Sequence, residues 1–246
     1  MRPQCYMNSS PNARFTRIAA LIAVLVVGAQ ATGKSERDPH RLPCASARCR
    51  RIKSFLKARY CGESPFGNGP DDGCEIKRPK TPAAGIKVLA DFDCKWIDGI
   101  SKCQQHAQPP SEMRAILIRE MRKLGLPVRD DGQLYFTVWE PTSAGWAPAE
   151  AYYQHLAGPD LTICQLVATV DRSSQVRALR TVPFQKTDAD VPAATIWTPI
   201  DLADIDGTGQ VDVVLEADAY EDHWLEVDSV KDGFTKTIFS GLGYYL

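Results

Sequence analysis

The sequence predicts an α+β fold: mostly antiparallel sheet, one long and one shorter helix, stapled by disulfides. Three observations carry this. From Gln133 onward, β-branched and aromatic runs alternate with Asp-, Ser- and Gly-containing turns, the pattern of consecutive antiparallel strands. Cys49 to Tyr60 and Ser111 to Leu124 instead space their apolar residues at three and four, the helical period. Eight cysteines occur in the 246 residues, behind a stretch that reads as an export leader, so disulfides are expected.

Residues 1–31 form that leader. Arg14 and Arg17 precede the apolar run Ile18 to Val27, no acid occurs before Glu36, and Ala29-Gln30-Ala31 is a small-x-small cleavage pattern. These are the parts of a secretory signal peptide. The run is shorter than the roughly 20 apolar residues a spanning helix needs, so no membrane span is expected after cleavage. An uncleaved anchor is the alternative. The expected location is extracytoplasmic, periplasmic or secreted. Two further regions follow: 32–82, a basic helix and a Gly/Pro-rich loop with cysteines, and 83–246, an α+β domain.

Composition is ordinary for a globular chain, 44% hydrophobic and 24% charged. The formal net charge of −1 hides two blocks. Lys34 to Arg59 holds nine Lys/Arg against two acids, and Asp201 to Asp232 holds eleven acids against one Lys. The basic block could be a nucleic-acid or membrane patch. Its acidic counterpart makes internal compensation or a solvated face the preferred reading, with no nucleic-acid partner.

In chain order, Ile52, Phe55, Leu56 and Tyr60 share one helix face, with Arg50, Arg51, Lys53 and Lys57 on the others. Between Cys61 and Cys74 lie four Gly and two Pro. A long aperiodic segment needs tying down, so Cys61–Cys74 is the expected bridge. Asp71-Asp72-Gly73 reads as a plain turn. Asp98-Gly99 is a two-residue hairpin signal. With those residues at the turn, Ile97 faces Ile100 and Cys94 faces Cys103, at a non-hydrogen-bonded pair with Cα atoms about 4.5 Å apart. A second disulfide, Cys94–Cys103, follows. A zinc site on Cys94, Cys103 and His106 would lack a fourth ligand.

Ser111, after Pro109-Pro110, can cap the next helix. Met113, Leu117, Met121 and Leu124 line its core face, and Gly125, Leu126 and Pro127 end it. Strands are expected at Gln133 to Glu140, Leu161 to Val170, Gln175 to Val182, Ile196 to Leu202, Val211 to Ala217, His223 to Val227 and Phe234 to Phe239. Ala149 to Leu156 reads equally as short helix or strand. Cys164 shares a face with Leu166, Ala168 and Val170, and is expected to be a buried free thiol.

The loop Asp204-Ile205-Asp206-Gly207-Thr208-Gly209-Gln210-Val211-Asp212 carries oxygen side chains at positions 1, 3, 5 and 9. Its two glycines allow tight curvature. A hard cation such as Ca²⁺ takes six to eight oxygens. The pattern D-x-D-G-T-G-x-x-D before Val213-Val214-Leu215 resembles the calcium loop of FG-GAP/VCBS-type repeats, the blades of integrin-α-like propellers. The resemblance covers at most Pro199 to Leu246. It implies Ca²⁺ held by Asp204, Asp206, Thr208, the carbonyl of Gln210, and Asp212. Thr208 stands where the family has Asp or Asn, which implies a weak site. One copy of the loop is present, and a propeller needs several. An EF-hand would need Glu at position 12 and a following helix, but position 12 is Leu215. A polar turn binding nothing is the remaining alternative.

Glu216, Asp218, Glu221, Asp222, His223 and Glu226 follow closely. Asp218, Glu221 and His223 could together perform acid–base hydrolysis if they converged. No nucleophile-elbow, Walker, dinucleotide or HExxH motif occurs. The sequence therefore points to an exported binding or structural module with one weak Ca²⁺-type site. An exported hydrolase is the alternative. Ligand and partner are left open.

Overall fold

The computed structural model describes residues 46–62, 74–79, 81–97, 100–127, 133–188, 194–219, 222–231 and 234–245. The leader at 1–31, Cys44, the Asp71–Gly73 turn, the Asp98-Gly99 turn and Glu221 lie outside them. Helix α1 is Ala47–Tyr60 and α2 is Ser111–Lys123. The strands are β1 (Val88–Ala90), β2 (Phe92–Ile97), β3 (Ile100–Gln105), β4 (Leu134–Trp139), β5 (Trp146–Ala157) and β6 (Asp160–Asp171). They continue with β7 (Val176–Asp188), β8 (Ile196–Ala203), β9 (Asp212–Asp218), β10 (Asp222–Lys231) and β11 (Phe234–Tyr245). All pairings among the described residues are antiparallel. One sheet runs β1-β4-β5-β6-β7, a second β11-β10-β9-β8, and β2-β3 form a separate hairpin. The fold is thus α+β and mostly antiparallel, with no closed barrel among the described residues.

The layers follow from alternation. Successive strand residues point to opposite faces, so each sheet has two faces to cover. On the first sheet, Phe136, Ala151, Tyr153, Cys164, Leu166 and Ala168 pack under Leu117 and Met121 of α2. Its other face supplies Trp139 and Val167, which meet Leu202, Val213 and Leu215 of the second sheet. The outer face of the second sheet packs Val214, Leu225 and Val227 against Ile52, Leu56 and Tyr60 of α1. The order is helix, sheet, sheet, helix. Each large side chain buried in these layers contributes roughly 1.5–3 kcal/mol.

The predicted helix Cys49 to Tyr60 is α1, starting two residues earlier because the Ser46 hydroxyl accepts the Cys49 N–H at 3.1 Å. In α2 the expected cap is displaced. Ser111 is the first helical residue, Pro110 takes the cap position, and no side chain caps the helix. Pro is suited there because the chain enters with fixed φ and needs no N–H. The C-terminus ends as expected: Gly125 has φ +100° and the Leu126 N–H reaches the Met121 carbonyl at 3.2 Å. Ala149 to Leu156 is strand, part of β5 and hydrogen-bonded to β4 and β6. Cys94 pairs with Cys103 in the expected register, their Cα atoms 4.0 Å apart, and the disulfide is formed. Cys61–Cys74 is also formed, with Cα atoms 5.2 Å apart. Cys49 is disulfide-bonded. His106 pairs with Asp93 at 3.0 Å. Cys164 is a buried free thiol, and burial pushes its pKa up to about 12. The disulfides fit an oxidising, extracytoplasmic setting. No described helix is long and apolar enough to cross a membrane.

Polar side chains also cross between the sheets. Arg180 of β7 donates to Glu226 and to Asp228 (2.8 Å) of β10 and to Thr237 of β11 (3.1 Å), and lies over the Trp197 ring. Gln165 of β6 grips the backbone of Trp197 in β8: its amide donates to the carbonyl at 2.7 Å, and its oxygen accepts the N–H at 3.0 Å. The same amide donates to Glu150 at 2.7 Å. Glu150 is fully buried and its second oxygen has no hydrogen-bond partner. Burial therefore pushes its carboxyl up to about 7, with Gln165 opposing. A carboxyl raised above its ordinary value near 4.5 folds best protonated. Stability from this group is full below that value and is lost as pH rises through 7. Glu150→Gln keeps the contact to Gln165 without the charge. It should be more stable than wild type at pH 8 by about 3 kcal/mol, from about 1.4 kcal/mol per pKa unit. The gain should vanish near pH 4.5, and urea denaturation at the two pH values checks it.

Candidate functional site

The acidic loop joins β8 to β9 at the end of the second sheet where α1 begins. Gly207 and Gly209 both take positive φ, +74° and +79°, as the tight curvature requires. The curl directs backbone N–H groups inward. Asp204 accepts from Thr208 N–H (2.9 Å) and Gly209 N–H (2.9 Å), and Asp206 accepts from Thr208 N–H (3.1 Å). Asp206 is buried and ion-paired with Arg48 of α1, and Arg51 donates to its carbonyl at 3.1 Å. Burial pushes the Asp206 carboxyl up, but the bonds from Thr208 and Arg48 outweigh it and hold the pKa below its ordinary value. The basic and acidic blocks of the sequence thus meet, as internal compensation required.

Asp212 is different. It opens β9, opposite Ala203 on β8 and Ser229 on β10, and is fully buried. Neither carboxylate oxygen has a hydrogen bond of ordinary geometry. Burial and the neighbouring Asp206 charge push its pKa up to about 6. The Ser229 hydroxyl and Ile205 N–H offset only part of that.

The same face of the sheet shows how the fold treats another buried carboxylate. Asp201 accepts Arg59 Nε (2.7 Å) and the Tyr60 hydroxyl (2.7 Å) on one oxygen. It accepts Ala83 N–H (2.8 Å) and Leu202 N–H (2.7 Å) on the other. Four donors satisfy it. Sequence reasoning missed this residue. The available signal was an acid inside the apolar strand Ile200-Asp201-Leu202, in a chain with a basic helix to spare.

Of the sequence-predicted ligands, Thr208 is exposed and Gln210 half-buried at the loop's outer edge. As the side chains stand, no group of three His, Cys, Asp or Glu among the described residues is gathered to hold an ion. Asp206 is served by Arg48 and Asp204 by backbone N–H groups. Two hollows flank the loop. One of about 320 Å³ is lined by Thr142, Trp146, Arg177, Gln210 and Lys231. The other, about 370 Å³, is lined by Arg48, Thr208, Gln210, Ser229, Lys231 and Lys236.

The residues considered for hydrolysis lie at the other end of β9 and β10. His223 Nε2 meets Glu216 Oε1 at 2.7 Å, and Arg78 Nε meets Glu216 Oε2 at 2.6 Å. Burial pushes Glu216 up, and the His223 and Arg78 contacts override it, leaving the pKa low. Asp218, opposite His223 in register, is raised by burial and by Glu216. Among the described residues His223 meets Glu216, which Arg78 also holds; Glu221 lies outside the described residues. Both Glu216 oxygens and His223 Nε2 are thereby engaged in a charge network.

The chain matches no family model, no curated protein and no solved structure.

The two buried aspartates should respond oppositely to neutralisation. Asp201→Ala strands the Arg59 charge and the Tyr60 hydroxyl and should cost about 3–5 kcal/mol, the scale for breaking a buried pair. Asp212→Asn removes an unpaired buried charge, so in chelator at pH 7.5 it should gain about 2–3 kcal/mol, at about 1.4 kcal/mol per unit of pKa shift. The sign follows from the raised pKa: wild type loses stability as pH climbs through 6. Denaturant melts of both variants test the pair.

Proposed function

We propose that the protein is an exported binding or structural module whose loop, Asp204 to Asp212, takes a divalent cation of the Ca²⁺ type. The observation that supports this is Asp212: a fully buried carboxylate with neither oxygen in a hydrogen bond of ordinary geometry. An unpaired buried ion costs several kcal/mol, and a bound cation would offset that. Asp212 would supply two oxygens, with Asp204, Asp206, Thr208 and the Gln210 carbonyl completing the set. Hard cations accept such an all-oxygen shell. Asp206 would exchange Arg48 for the ion, and Arg48 can leave readily because its side chain is about half exposed. The bound ion would screen three carboxylates from one another and fasten the β8–β9 turn to the sheet. Residues 1–31 act in this reading as the export signal. No reaction is assigned. The charge network at His223 supports a structural role for the carboxylates once considered for hydrolysis.

Calorimetric melts in millimolar Ca²⁺ and in chelator test the proposal. Wild type should melt several degrees higher with Ca²⁺, since binding to the native state alone stabilises it by mass action. Asp212→Asn should not respond, so the order of the two proteins should invert between chelator and Ca²⁺. Thr208→Asp, which adds a charged ligand, should respond at lower Ca²⁺ than wild type. Identical wild-type melts in both conditions would mean that the loop is a turn that binds nothing.

A further inference from the structure

The hollow of about 370 Å³ beside the loop is walled by three cations, Arg48 from α1, Lys231 from the end of β10 and Lys236 from β11. Two hydroxyls, Thr208 and Ser229, line it with them, and Ile238 gives an apolar wall. Among the described residues neither Lys231 nor Lys236 forms an ion pair, and both are exposed. The chain as a whole is slightly acidic, with a formal charge of −1. The surrounding segment, Asp201 to Asp232, holds one Lys against eleven acids. Cations brought from three separate elements to one concavity are therefore a product of the fold, not of local composition. Lysine and arginine with hydroxyl donors are the set that recognises an oxyanion.

We propose that this hollow binds an oxyanion group, a sulfate, phosphate or carboxylate, and that Arg48 couples its occupancy to the cation loop. The coupling rests on the cation reading above; the oxyanion site itself does not. Arg48 is shared between the hollow and Asp206. While it serves Asp206, one of the three cations is neutralised, and the carboxylates of Asp204 and Asp212 lower the local potential further. A divalent ion in the loop would release Arg48 to the hollow and cancel two of those charges. By reciprocity each ligand tightens the other by the same factor, typically ~5–150-fold in coupled sites. The ligand class is thus an anionic small molecule or an anionic polymer end, held where a Ca²⁺ loop and a basic hollow adjoin.

Sulfate is the probe. Titration calorimetry at constant ionic strength in chelator, with chloride as reference, should show wild type binding sulfate in the millimolar range. Lys231→Gln/Lys236→Gln should bind at least tenfold more weakly while melting at the wild-type temperature, since both lysines are exposed. Asp206→Asn frees Arg48 without any metal and should tighten sulfate several-fold. Separate arms with phosphate, acetate and a sulfated disaccharide distinguish a free ion from a group carried on a larger ligand. Equal sulfate binding by wild type and the double-lysine variant, or none by wild type, overturns the oxyanion site. An unchanged affinity in Asp206→Asn overturns the coupling. A Ca²⁺-dependent melt in sulfate-free buffer reports the cation reading separately: either site can fail while the other stands.

Discussion

A carboxylate withdrawn from water must be met by donors, by a proton or by a cation, and the C-terminal half of this chain is built around that constraint. On the face of the second sheet that receives α1, Asp201 and Asp212 are both fully buried. Asp201 gathers Arg59, Tyr60, and the N–H groups of Ala83 and Leu202. The first three of those bonds tie the last turn of α1 and the segment before β1 to β8. At the other end of the same helix, Arg48 and Arg51 hold Asp206 and its carbonyl. The helix is therefore docked at both ends by charge and along its middle by Ile52 and Leu56. Asp212 lies within this arrangement, and neither of its oxygens has a hydrogen bond of ordinary geometry. That contrast with Asp201 is what supports the proposed cation.

The interface between the sheets applies the same constraint to cations and amides. Arg180 is mostly buried, and burial alone would lower its pKa, but Asp228 and Glu226 raise it above the ordinary value. Gln165 meets the Trp197 backbone as a strand would, with one donor and one acceptor. These contacts fix how the two sheets are set against each other, a geometry that apolar packing alone specifies weakly because it is non-directional. Replacing such pairs by apolar residues often leaves stability unchanged or raised.

Much of this was legible in the sequence. Helix periodicity located both helices and Asp98-Gly99 set the register that joins Cys94 to Cys103; the opposed charge blocks were compatible with internal compensation or with a solvated face, and the contact of Arg48 with Asp206 decides for the first. Period-two alternation showed which residues share a face of a strand. It carries no information on which sheet that face meets, so the helix–sheet–sheet–helix order could not be read. The segment Trp146–Ala157 was ambiguous because Ala, Glu and Gln are good helix formers. It becomes strand through tertiary pairing on both edges, and Pro148 falls just beyond the last residue paired to β4. The donors of Asp201 come from positions far apart in the chain, so no local pattern announces them. The poor hydrogen bonding of Asp212 is equally invisible without coordinates. The loop's oxygen side chains are written in its spacing, whereas the claim of Arg48 on Asp206 arises only when α1 docks.

Diffraction from crystals grown in millimolar Ca²⁺ tests the central claim most directly. The account predicts an ion about 2.3–2.6 Å from oxygens of Asp204, Asp206 and Asp212, with both Asp212 oxygens engaged and Arg48 turned away from Asp206. Arg48 still paired to Asp206, no ion in the loop, and Asp212 hydrogen-bonded to water or protein would contradict it.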